Sequence, residues 1–144
     1  MKRYGIDIRF ICLIFVAIFA YYSHLFFSVI IVPPLSEFFD QFVFLEGWGV
    51  AILPGFVPSI LVALLVGTPL GFFFERLWFF RALLVSFLFV SLGVLGSPVE
   101  LWLYWPYAVL AGVDKLVFVL LFVLFSWGGS FLKASKGKER VKVK

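Results

Sequence analysis

Three side chains could do chemistry in unusual company. His24, Asp114 and Lys115 each stand within or beside a long run of apolar residues. An ionisable group in such a run is costly to desolvate, so it marks an ion or substrate pathway, a proton relay or a counter-charge. His24 is the only histidine. An imidazole can take up and release a proton near neutral pH, and a lone one equally suits a neutral side chain hydrogen-bonded to the next helix. Ala17, Ala20, His24 and Ser28 recur at helical spacing, which turns His24 towards protein rather than lipid.

Asp114 and Lys115 are neighbours in sequence and point about 100° apart on a helix, so they cannot pair ideally with each other. Two readings are open. If the fourth helix runs from about Tyr107 to Trp127, both charges lie inside the membrane, at a depth matching His24. Lys115 then shares a face with Ala108, Ala111 and Gly112, Asp114 can meet His24, and Lys115 seeks Glu46, Glu100 or a bound anion. If the helix is only Leu116–Leu132, about 17 residues, it is close to the shortest span. The two charges then mark an interface and no chemistry follows. Trp127 favours the first reading and Lys133 the second.

The elements that must position these groups follow from composition. The chain has 144 residues, 64% of them hydrophobic and 14% charged, with 21 Phe. A water-soluble domain of this size could not cover so much apolar surface, whereas a bilayer solvates it. Four apolar runs emerge: Phe10–Val32, closed by Pro33-Pro34; about Val50–Phe74; about Leu77–Gly96; and a fourth ending near Leu132. Each is long enough, at about 20 residues, to cross a bilayer. There is no period-2 alternation to suggest a barrel. The first run is too long for a signal-peptide core of about 7–15 residues and is read as a retained helix.

Charge orients the helices. Lys2, Arg3 and Arg9 precede the first run, Arg76 and Arg81 lie between the second and third, and Lys133, Lys136, Lys138, Arg140, Lys142 and Lys144 follow the fourth. The other two connections carry Glu37, Asp40, Glu46 and Glu100 and no basic residue. The positive-inside rule then predicts an all-α membrane protein with four transmembrane helices and both termini cytoplasmic, in the inner or plasma membrane. Residues 1–132 form the membrane domain and 133–144 a basic tail. A tail of this kind next to a membrane helix is a topology and lipid-headgroup signal, not a nucleic-acid site. Two outer segments read as short interfacial helices: 36–46, with Phe38, Phe39, Phe42 and Leu45 at helical spacing, and one starting at Pro98 from the capping pattern Ser97-Pro-Val-Glu100. Trp102, Tyr104, Trp105 and Tyr107 follow at headgroup depth, where Pro106 kinks or breaks the helix.

Gly55, Ser59, Ala63, Gly67 and Gly71 recur every four residues along the second helix, and 67–71 is a GxxxG segment. Such a groove admits another backbone at close range. It predicts a protein contact with another helix of this chain, a second copy or a different subunit. Pro54, Pro58 and Pro69 should bend the same helix. Cys12, the single cysteine, excludes an intrachain disulfide, and its expected place is a buried apolar one. One His and one Cys supply no zinc or haem site, and no phosphate-binding glycine loop is present, so neither metal nor cofactor is expected.

No catalytic set emerges. The leading expectation is a non-enzymatic subunit or accessory protein, assembling with itself or a larger membrane partner through the small-residue face of the second helix. The alternative is a small oligomeric transporter, channel or lipid-linked flippase that uses His24, Asp114 and Lys115.

Overall fold

The computed structural model describes residues 8–41, 48–74, 77–98, 103 and 105–142. Lys2, Arg3, Glu46, Glu75, Arg76, Glu100, Trp102, Tyr104 and Lys144 lie outside them. All regular structure among the described residues is helical. Four helices are long and apolar enough to cross a membrane, within Phe10–Asp40, Gly55–Phe73, Trp78–Leu95 and Ala108–Ser135. The chain is a multi-pass membrane protein.

The first helix, α1, spans Ile8–Asp40. Its 33 residues are about 50 Å long, well over the roughly 30 Å of a hydrocarbon core. Pro33 and Pro34 lie inside it. The expected break there does not occur. Two prolines remove two consecutive backbone donors, but their fixed φ is helical, and the chain resumes as helix through Asp40. The first part of the expected interfacial helix at 36–46 is thus the last turn of α1, closed by Gln41 N–H donating to the Phe38 carbonyl. Residues 42–47 lie outside the described set, as do 99–102, where the second interfacial helix was expected.

The second rod, α2, has three continuous segments: an α-helix over Trp48–Val62, a π-helical turn over Ala63–Gly67, and an α-helix over Thr68–Phe73. Pro69 accounts for the π turn. It has no N–H for the carbonyl four residues back, and its ring crowds that carbonyl, so the helix widens just before it. A bend was expected from the prolines; the register change was not.

The third helix, α3, spans Trp78–Leu95, one residue inside the expected bounds at each end. It starts abruptly from Leu77, which has left-handed backbone angles (φ 61°). Arg81, one turn in, lies 4.5 Å from the centre of the Phe74 ring and so ties the start of α3 to the end of α2. The fourth helix, α4, spans Trp105–Lys142. Pro106 is its second described residue, and Leu103 is helical as well. The backbone of the basic tail continues this helix as far as Lys142.

The helices form a four-cornered bundle. α1 packs on α2 and α3, α4 packs on the same two, and α1 stands diagonally from α4. The interior is built largely of small side chains, among them Ala17, Ala20, Ala63, Ala82, Ser59, Ser86 and Ser126, with Phe89, Phe118 and Phe122 filling the centre. Large apolar residues point outward, such as Phe15, Phe19, Phe26 and Val29 on α1 and Leu116, Leu120 and Leu124 on α4. This distribution suits lipid, where close packing rather than apolar burial drives helix association. Cys12 also faces outward, not into the core as expected.

Candidate functional site

The small-residue face of α2 is occupied by α4 of the same chain. A β-carbon on Gly67 would stand 3.1 Å from the Phe122 carbonyl oxygen and 3.4 Å from Ser126 Oγ. One on Gly71 would overlap the Ser126 backbone, and one on Gly129 would overlap the Thr68 carbonyl. Nearer the beginning of α2, a β-carbon on Gly55 would be in ordinary contact with Asp114 Oδ1. Gly55, Gly67 and Gly71 thus meet Asp114, Phe122 and Ser126 in the same chain order, so α2 and α4 run the same way. Of the three partners open to this face, another helix of the chain is the one that fills it. Gly129, which completes the contact from the α4 side, was not singled out in the sequence.

Towards the Asp40 end of α1, this same contact opens into a polar cluster. His24 Nε2 lies 3.1 Å from Ser59 Oγ, and the Ser59 hydroxyl donates to Asp114 Oδ1 at 3.3 Å. Ser28 Oγ lies 3.4 Å from His24 Nδ1, one turn further along α1. Donor counting sets the direction of the whole chain. A serine hydroxyl has one proton, and Ser59 gives it to Asp114. With the imidazole neutral, His24 Nε2 then donates to Ser59 and Nδ1 accepts from Ser28. In that state, neutral His24 beside ionised Asp114, the protons point from Ser28 through His24 and Ser59 to Asp114.

Each of α1, α2 and α4 contributes to this line because of a helical stripe. His24 and Ser28 are one turn apart on α1. Ser59 is the polar member of the small face of α2 and is fully buried. Asp114 lies on the part of α4 that packs against α2 beside Gly55 and Ser59. Ser59 is the residue whose role the sequence did not disclose: it was read as packing, and it also bridges the two ionisable groups.

Aromatic rings wall the cluster. Phe89 and Phe118 stack at 3.7 Å between centroids, and both stand edge-on to His24, at 5.4 and 6.1 Å. Tyr21 meets Phe89 edge-on at 5.9 Å. These rings cover the faces of the imidazole that they meet.

Lys115 takes a separate direction. Its side chain lies over Gly93 of α3, with Cε 3.2 Å and Nζ 3.9 Å from where a β-carbon on Gly93 would stand. The Tyr21 ring approaches the same point to 3.8 Å, and the Tyr21 hydroxyl reaches within 2.9 Å of the corresponding point on Gly96. Asp114 and Lys115 are both within electrostatic range of His24. The backbone of the tail residues Lys133, Lys136, Lys138, Arg140 and Lys142 lies at the far end of α4 from Asp114.

No protein-family model matches the chain, and no curated protein or solved structure is significantly similar to it.

Proposed function

We propose that this chain is a small proton-coupled transporter of the inner or plasma membrane, with both termini cytoplasmic, in which His24, Ser59 and Asp114 bind and pass the proton. The observation that carries the reading is the one-way line of hydrogen bonds from Ser28 to Asp114 within membrane-spanning helices. Asp114 gains the Ser59 proton, Ser59 is refilled from His24 Nε2, and His24 is refilled at Nδ1 from the Ser28 side. One proton enters and one arrives, while the hydroxyls and the ring keep their proton number. The three groups come from three helices, so protonation of Asp114 alters contacts that hold those helices together. That is what alternating exposure of a site requires. The basic clusters on one side of the spans support the orientation.

The accessory-subunit reading rests on the small-residue face of α2, and α4 of the same chain fills that face. The bundle centre is likewise filled, by Phe89, Phe118 and Phe122. A solute route therefore runs beside the bundle, and an assembly of copies is part of the proposal.

The test needs no knowledge of the solute. Protein reconstituted on a solid-supported membrane is given a step in pH. Proton binding inside the membrane displaces charge, so the native protein should give a transient current that Asp114→Asn abolishes and His24→Gln slows or abolishes. No current from the native protein, or an undiminished one from folded Asp114→Asn, would overturn the reading.

A further inference from the structure

We infer that the π turn of α2 is a register switch for the relay: when Ala63–Gly67 closes to α-helix, Ile60 takes the place of Ser59 and the line from His24 to Asp114 is cut. The inference deepens the proton-coupled reading, on which its role rests, by naming what makes and breaks the line. The change of register can be read without that role.

A π turn holds one residue more than the α-helix it interrupts. Here the surplus residue aligns the small face. In an unbroken α-helix each four-residue step overshoots a full turn by about 40°, so four steps from Gly55 would leave Gly71 about 160° away around the axis. Absorbing one residue cuts this to about 60°. Both glycines do abut α4, at Asp114 and at Ser126. The π turn is thus the register in which one helix meets the whole face.

The two halves of α2 are held unequally. After the turn, backbone meets backbone at Gly71–Ser126 and at Thr68–Gly129, whereas before it Gly55 is in ordinary contact with the Asp114 side chain. Closure therefore moves the half before the turn, by about 100° and about 1.5 Å. Each of its residues takes the place of the one before it. Ser59 leaves for the position of fully buried Pro58, and Ile60, now 42% exposed, enters the gap between His24 and Asp114. An isoleucine side chain neither donates nor accepts a proton, so the relay is open only in the π register.

Opposing forces give the turn two states. Pro69 and the fit of the small face to α4 favour the π register. Against them stand two buried hydroxyls at the turn, Thr68 Oγ1 and Ser126 Oγ, which have no hydrogen-bond partner in this register. In an α-helix a threonine hydroxyl can donate to the carbonyl four residues back, here that of Leu64 inside the turn. Charge at Asp114 tips the balance. The bond from Ser59 to an ionised carboxylate is charge-assisted and holds the π register; a neutral carboxyl holds the hydroxyl less firmly and tolerates Ile60. Loading of Asp114 therefore releases the turn and shuts the path behind the proton. Among the described residues, the ionisable groups that act on Asp114 are His24 from α1 and Lys115 on α4. α2 has none over Trp48–Phe73, and Arg81 of α3 lies at the Phe74 end.

His24 is the only histidine, so the full chain labelled with ¹⁵N-histidine, purified through a histidine-free tag and placed in lipid vesicles, gives the NMR signals of one ring. Pro69→Ala should close the turn and move the ring signals to the positions they take in Ser59→Ala. Ile60→Ser added to Pro69→Ala puts a hydroxyl back in the gap and should return them towards the native positions. Deleting Leu65 from Pro69→Ala removes the surplus residue and should do the same, with thermal unfolding checking that each variant is folded. Native ring signals in folded Pro69→Ala, or shifted signals that neither second change returns, overturn the switch. If Pro69→Ala does not fold, the deletion variant decides: native ring signals support the switch, and altered signals or failure to fold overturn it. The pH-step current is read in parallel and should be lost in Pro69→Ala and regained with Ile60→Ser. A native protein without current whose ring signals follow this pattern keeps the switch and defeats the proton relay, whereas a native current with unmoved ring signals defeats the switch alone.

Discussion

The imidazole of His24 and the carboxylate of Asp114 share one neighbour, the hydroxyl of Ser59, 3.1 Å from the first and 3.3 Å from the second. The two ionisable groups meet through that hydroxyl. The serine both spaces them and fixes the direction in which a proton can pass.

Ser59→Ala should therefore interrupt the relay with little change of shape, since alanine keeps the small face of α2. His24 and Asp114 each lose a partner in a water-poor site, which costs about 1–3 kcal/mol. The pH-step current should slow markedly while the protein stays folded in detergent. A current of native speed in Ser59→Ala would mean that the proton reaches Asp114 by another route.

The α2–α4 contact predicts a graded series. Gly71→Ala and Gly129→Ala place a methyl group onto backbone atoms and should be severely destabilising, by about 3 kcal/mol or more. Gly67→Ala meets the Phe122 carbonyl at 3.1 Å and should cost less. Gly128→Ala, with open space around it, should be neutral or slightly stabilising. Thermal unfolding in one detergent ranks the four variants, and equal losses at Gly71 and Gly128 would be inconsistent with the close crossing.

Asp114→Cys in a Cys12→Ala background should be shielded from a membrane-impermeant thiol reagent added to either face of native membranes. The residue bonds to fully buried Ser59 between α2 and α4. Rapid labelling from one side would instead place the α4 charges at an interface, as the shorter-helix reading required.

Leu77→Gly should stabilise the protein. A leucine held at φ 61° carries a steric cost of about 1–2 kcal/mol that glycine does not. The larger unfolded-state entropy of glycine offsets part of this gain, about 0.5–1 kcal/mol. Leu77 is 63% exposed, so little packing is lost. A modest rise in unfolding temperature is expected, and a fall would show that the leucine side chain anchors the turn in lipid.

Phe118→Ala should cost about 3–5 kcal/mol by opening a cavity at the bundle centre. Phe118 stacks on Phe89 and faces His24. A variant that still folds should admit water to the imidazole, and the pH dependence of the step current should shift relative to the native protein.

The four spans were legible in the sequence, and a meeting of Asp114 with His24 was one of its two open readings. Each depends on a local property: the length of an apolar run, or the depth of a residue along a helix whose rise per residue is constant. The small face of α2 was legible too, because a four-residue repeat puts its members on one side of a helix. Its occupant was not, since a groove of small residues admits any backbone of complementary shape. Only the packing of α4, with Gly129 and Ser126 turned towards Gly71 and Thr68, decided that the chain fills its own groove. Boundaries set by proline also needed the structure. A proline removes one donor and crowds one carbonyl, and whether the helix ends, continues as at Pro33-Pro34, or widens as before Pro69 depends on what surrounds it. Ser59 is the clearest case of the same limit. Its size and spacing assign it to a packing face, whereas its bridge from His24 to Asp114 exists only because three helices from distant parts of the chain converge on one hydroxyl.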